Sequence, residues 1–124
     1  MEIAAIKKLL DAGADMILCT GGMSVDPDDR TPYAIGQVAD RVVTYGAPVL
    51  PGAMFMLAYK GESNIPIMGL PGCVMYAKRT IFDLVLPRIM AGEVLKKEDI
   101  DLLGEGGLCL NCKICTFPNC GFGK

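Results

Sequence analysis

Met16-Ile17-Leu18-Cys19-Thr20-Gly21-Gly22 decides how the chain folds, because four apolar residues run without interruption into a threonine and two glycines. A short continuous apolar run reads as a buried parallel strand, and the Gly-Gly pair as a tight turn at its carboxyl end. Upstream, Ile3, Ile6, Leu9 and Leu10 recur at helical spacing from Glu2 to Ala12, and Gly13 supplies the residue free to take positive φ at a helix end. Downstream, Thr31 reads as an N-cap with Pro32 in the first turn of a helix that carries Tyr33, Ile35 and Val38 before Asp40.

The same punctuation continues to the carboxyl end. A strand is predicted over Arg41–Tyr45, and after Pro48, Pro51 and Gly52 another over Ala53–Tyr59. Lys60-Gly61-Glu62-Ser63-Asn64 joins it to Ile65–Leu70 as a hairpin-like pair. Leu70-Pro71-Gly72 then breaks the chain before a helix predicted from about Met75, with Ile81, Leu84 and Val85 on one face and Pro87 kinking or ending it. Lys96–Leu103 reads as a last short helix and Gly104–Gly107 as a flexible joint. The alternation of strand, loop and helix predicts an α/β layer fold over residues 1–103, with ligand loops at the carboxyl ends of strands, followed by a joint and a Cys-rich tail over residues 104–124.

Composition narrows the chemistry. The 124 residues carry 12 Lys and Arg against 14 Asp and Glu, so no basic excess exists to neutralise a phosphate backbone or an anionic bilayer. His is absent, which excludes Ser-His-Asp and Cys-His relays and every His-containing zinc site. The opening residues do not read as a signal peptide, and the longest apolar stretch, Ala47–Tyr59, is interrupted by Pro51 and Gly52. A cytoplasmic location is the expectation.

Two loops could carry chemistry. In Thr20-Gly21-Gly22-Met23-Ser24 the glycines allow close backbone approach, free N–H groups there and at the following helix start favour anions, and Ser24 adds a hydroxyl. Asp26, Asp28 and Asp29 would repel a bare phosphate, so either a divalent cation intervenes or they point away. The same residues also describe an ordinary Gly-Gly turn with a solvated acidic loop. In Leu70-Pro71-Gly72-Cys73 a helix N-terminus with Lys78 and Arg79 in its first turns could hold an anion, or a Pro-Gly turn could simply be followed by solvated basic residues. Two such loops at strand ends of one sheet could line one crevice.

The tail, Cys109-x2-Cys112-x2-Cys115-x4-Cys120, places thiolates on a tight backbone loop. A four-thiolate metal site is predicted, an iron-sulfur cluster ahead of all-cysteine zinc, whose two knuckles need a longer separation. A reduced tail without metal is the remaining alternative. Cys19 and Cys73 read as small buried residues.

The residues quoted so far resemble the molybdopterin-binding domain shared by molybdopterin adenylyltransferases and molybdopterin molybdenumtransferases. The resemblance rests on Gly13-Ala14-Asp15 entering Met16-Ile17-Leu18, on Thr20-Gly21-Gly22, on Asp29-x-Thr31-Pro32-x-Ala34, and on Leu70-Pro71-Gly72 before a segment ending in Leu86-Pro87. It implies a three-layer α/β/α fold in which the chain corresponds to the later part of the domain, without the family's opening strand-helix-strand. It also implies a role in molybdenum cofactor biosynthesis, by adenylyl transfer with Mg2+ and ATP or by molybdate insertion. Asp29 matches the family's acidic residue and becomes the candidate catalytic carboxylate. Thr20, Gly21, Gly22 and Ser24 would hold molybdopterin from one side and Pro71 and Gly72 from the other. Gly-Gly-Met-Ser-Val resembles the molybdenumtransferase branch, whereas Pro27, Asp29, Thr31 and Pro32 resemble the adenylyltransferase branch. Cys73 and Val74 depart from the small polar residue and proline usual after the second Pro-Gly. The expected partners are a small pterin ligand and further copies of the chain, with no nucleic acid and no membrane. From a different class comes a non-catalytic partner or sensor module in which the four-cysteine tail is the working part.

Overall fold

The computed structural model describes residues 2–23 and 30–124. Among them four strands form one mixed sheet in the order β1-β4-β3-β2, with β1 Ile17–Thr20, β2 Arg41–Tyr45, β3 Met56–Lys60 and β4 Ile65–Leu70. β1 runs parallel to β4, pairing Ile17 with Ile67 and Thr20 with Leu70. β3 lies antiparallel to both β2 and β4, and the β3-β4 pair is the predicted hairpin, turned by Gly61 (φ 76) and Asn64 (φ 54). The expectation of a strand buried on both faces is corrected for β1: it occupies a sheet edge, with Ile17 buried and Leu18 45% exposed.

Alternation along the central strands sorts side chains to two faces. Met56, Ala58 and Ile67 face one core, shared with Ile6 of helix α1 (Glu2–Asp11) and Ala34, Ile35 and Val38 of helix α2 (Thr31–Val38). Leu57, Tyr59, Met68 and Leu70 face the other, packed on Ile81, Val85 and Ile89 of helix α3 (Ile81–Met90) and on Ile100 of helix α4 (Lys97–Asp101). Helices therefore cover both faces, giving three α/β/α layers. On α1 the buried stripe is Ile3, Ile6 and Leu10, whereas Leu9, expected on that face, is 48% exposed. Fully buried Leu57, Ile67, Met68 and Phe55 each contribute about 1.5–3 kcal/mol. Exposed ion pairs such as Lys97–Asp101 contribute under about 1 kcal/mol. Burial on the two sheet faces dominates.

Helix α3 starts later than predicted. Gly72–Met75 forms a short 3-10 turn, and α3 begins at Ile81 because Thr80 caps it: the Thr80 hydroxyl accepts from Phe82 N, and Asp83 accepts from Thr80 N at 2.8 Å. Lys78 and Arg79 thus precede the helix instead of lining its first turn. Pro87 does not end it, since the helix continues to Met90. The Gly104–Gly107 stretch, read as a joint, is mostly wound into a 3-10 turn over Leu102–Gly106, and Gly104 and Gly107 pack against Pro48. Beyond it, Leu108 bridges to Leu50, Cys109 N donates to Leu50 O at 2.8 Å, and Phe122 is buried in the α3-side core.

Candidate functional site

Because Thr20 and Leu70 are register partners on adjacent parallel strands, Thr20-Gly21-Gly22 and Leu70-Pro71-Gly72 leave the sheet side by side at the same edge. From there the chain diverges, from β1 to α2 on one face and from β4 to α3 on the other. That divergence is the topological switch point at which open α/β sheets form a ligand crevice outside the carboxyl ends of their strands. The two loops predicted to share a crevice are brought together.

The first loop is built around Thr31. Its hydroxyl donates to Gly21 O at 2.8 Å and its N–H to Gly22 O at 3.2 Å, so the chain departing at Gly22 is tied to the chain returning at α2. Gly21 (φ 80) and Gly22 (φ 66) both take left-handed backbone, and a Cβ on Gly22 would collide with the Thr31 hydroxyl. Thr31 is consequently the first helical residue and not the N-cap expected; Arg30 occupies that position without a side-chain cap. The expected free donors at this helix start are also fewer, since Thr31 N–H is engaged and Pro32 has none. Met23 is buried against Gly69 of β4, and Tyr45 on β2 donates from its hydroxyl to Met23 O at 3.1 Å. Ser24, Asp26, Asp28 and the candidate catalytic Asp29 lie outside the described residues.

In the second loop Pro71 is buried and Gly72 exposed, so the backbone at Gly72 is open to a ligand. The basic pair does not serve the start of α3, whose capping box already satisfies its N-terminal donors and sets the negative charge of Asp83 there. Thr80-x-x-Asp83 was the signal in the sequence that marks this start. Cys73 and Cys19 are half-buried instead of buried, and burial pushes both thiols up, with the charge of Glu2 adding to the shift at Cys19. Both stay protonated and unreactive near neutral pH.

Cys109, Cys112, Cys115 and Cys120 all line one cavity of about 190 Å³, together with Arg79 and Phe117. Cys109 and Cys120 are partly buried against the α3-side core, whereas Cys112 and Cys115 are exposed. Among the described residues no three Cys, Asp or Glu side chains converge closely enough to grip a metal ion as they stand. The Arg79 guanidinium lies over the Phe117 ring at 5.0 Å, and its buried Nε finds no acceptor among the described residues.

Among the described residues no helix is long and apolar enough to cross a membrane. No curated protein matches the chain. A family model described as "Probable molybdopterin binding domain" matches residues 2–91, a span that contains both glycine loops and the whole sheet but stops short of the cysteine tail. Its role is accordingly of the molybdopterin-binding, cofactor-biosynthesis type. The matched span covers most of the chain, and the chain belongs to the molybdopterin-binding domain family.

Proposed function

We propose that the protein acts in molybdenum cofactor biosynthesis by binding molybdopterin across the Thr20-Gly21-Gly22-Met23-Ser24 and Leu70-Pro71-Gly72 loops and supporting a transfer reaction at its terminal phosphate. The observation that carries this reading is the pairing of Thr20 with Leu70, which sets both loops on one edge of the crevice. Backbone N–H groups at Gly21, Gly22 and Gly72 suit an anionic ligand, because a glycine backbone approaches closely and carries no competing side chain. Ser24 adds a hydroxyl donor.

Adenylyl transfer joins the terminal phosphate to AMP and releases pyrophosphate from ATP; molybdate insertion breaks that same bond and releases AMP. Both act at one anionic centre, so one site serves either. Mg2+ accompanying ATP would be taken by the carboxylates of the first loop, foremost Asp29, where it would screen the phosphates from the acidic residues and act as a Lewis acid. Asp29 is the proposed catalytic or metal-handling carboxylate. The free state of all six cysteines supports a reducing, cytoplasmic setting, and assembly of identical copies completes the proposal.

Binding of molybdopterin and of its adenylylated form, titrated against the chain and against Asp29→Ala, tests the assignment. Affinity should drop on the substitution, and unchanged binding overturns the role of Asp29. Pyrophosphate release with Mg-ATP, set against AMP release with molybdate, separates the two reactions. Absence of pterin binding by the chain overturns the whole reading.

A further inference from the structure

We propose that Cys109, Cys112, Cys115 and Cys120 hold a four-iron, four-sulfide cluster in the cavity they line, with Arg79 as its charge-compensating neighbour. The four cysteines lie beyond the matched residues 2–91, whereas Arg79 lies within them.

Local structure presents the ligands. Cys109 is fixed to the body by its N–H bond to Leu50 O, and Asn111, at φ 52, turns the chain in the left-handed conformation that Asn tolerates, just before Cys112. Past Cys115 a tight turn folds Cys120 back: Asn119 N donates to Thr116 O at 2.8 Å, and the Thr116 hydroxyl donates to Asn119 O at 3.0 Å. Burial of Phe122 anchors the far end. Four cysteines on a loop held at both ends therefore line one space.

The close x2 spacing of Cys109, Cys112 and Cys115 favours a cluster over zinc, whose two knuckles need a longer separation. Zinc at about 2.3 Å from each sulfur would draw the thiolates to within about 4 Å of one another, around a single point. Among the described residues no three of these side chains stand gathered around one ion, and all four cysteines line an open cavity of about 190 Å³. A cubane carries its own bulk between the thiolates and needs them spread around its corners. Each thiol gives up its proton on ligation, and the four thiolates outweigh the positive charge of the iron-sulfide core, so the occupied site is an anion. Arg79 lines the same cavity with a fixed positive charge and a buried Nε–H that lacks an acceptor; thiolate and sulfide sulfur are acceptors. Phe117 beneath the guanidinium holds it in place.

Full-length chain, purified without oxygen and supplied with ferrous iron and sulfide, should carry about four iron and four sulfide per chain. Cys112→Ala, an exposed position that leaves the core untouched, should lose them while keeping the circular dichroism of the parent. Cys19→Ala should keep them. Zinc at one per chain without sulfide, no bound metal, or full iron and sulfide in Cys112→Ala overturns the site. Arg79→Gln should retain the cluster and shift its reduction potential to more negative values, because a nearby cation favours the added electron; an unmoved potential overturns the role of Arg79.

Discussion

The thioether of Met23 lies against the bare Cα of Gly69, so the first ligand loop is seated directly on the strand that delivers the second. A Cβ on Gly69 would overlap the Met23 sulfur and methyl and come within 3.2 Å of Ile35 Cδ1. Gly69→Ala should cost about 1–3 kcal/mol in denaturant unfolding by overpacking. Shortening the obstacle in Met23→Ala/Gly69→Ala should recover part of the loss, and a double-mutant cycle with no coupling between the two positions would refute the contact.

Thr31→Val removes the hydroxyl that closes the first loop while keeping the side-chain shape. Gly21 O then loses its donor, at about 1 kcal/mol. Molybdopterin binding should weaken by up to about tenfold, as isothermal titration would register, and Thr31→Ser should behave like the parent.

Tyr59, buried between the sheet and α4, accepts a hydrogen bond from Leu95 N at 2.9 Å on its hydroxyl. Burial raises its ionisation above the ordinary tyrosine range, so the hydroxyl stays neutral through any working pH. Tyr59→Phe leaves that buried N–H without its partner and should destabilise the fold by about 1–3 kcal/mol. Thermal melts would show it, with the ligand loops unaffected.

Asp40 sits below the usual carboxylate range, chiefly because Gly61 N–H donates to it and then because Lys60 bonds to it at 3.1 Å. A depressed native value means that the contribution is complete above the unfolded value, about 3.9, and is lost as pH falls through the lower native value. The stability gap between the parent and Asp40→Asn should therefore be constant from neutral pH down to about pH 5 and close as acid protonates Asp40. Both partners are exposed, so the gap is small, and urea midpoints measured across that range would reveal its trend.

Period and punctuation made the layer order legible. Ile3, Ile6 and Leu10 announce α1, Lys60 through Asn64 announces the hairpin, and Gly-Gly and Pro-Gly mark both strand exits. Which strands become neighbours is not a local property. The parallel pairing of β1 with β4 joins segments about fifty residues apart in sequence, and it brings two separate turns side by side at the strand ends. The edge position of β1 escaped for the same reason, because an apolar run looks alike at the rim and in the middle of a sheet. Helix α3 was misplaced by reading apolar spacing ahead of its cap, although Thr80 and Asp83 were in plain view. From the sequence Arg79 reads either as an anion holder at the ligand loop or as a solvated basic residue, whereas long-range packing turns it toward Phe117 and the cysteines.

The departure of the chain from the two ligand loops onto opposite faces of the sheet has a consequence for how this protein can vary. Met23 and Ile35 support one loop from the α1-α2 core, whereas Val74 and Ile81 support the other from the α3-α4 core, so each half of the crevice rests on its own foundation. Substitutions that loosen one foundation reach its own loop first, and the other loop only through the Met23–Gly69 contact. The two loops can thus drift in part separately in a lineage of related chains, as long as β3 and β4 keep the two halves in register.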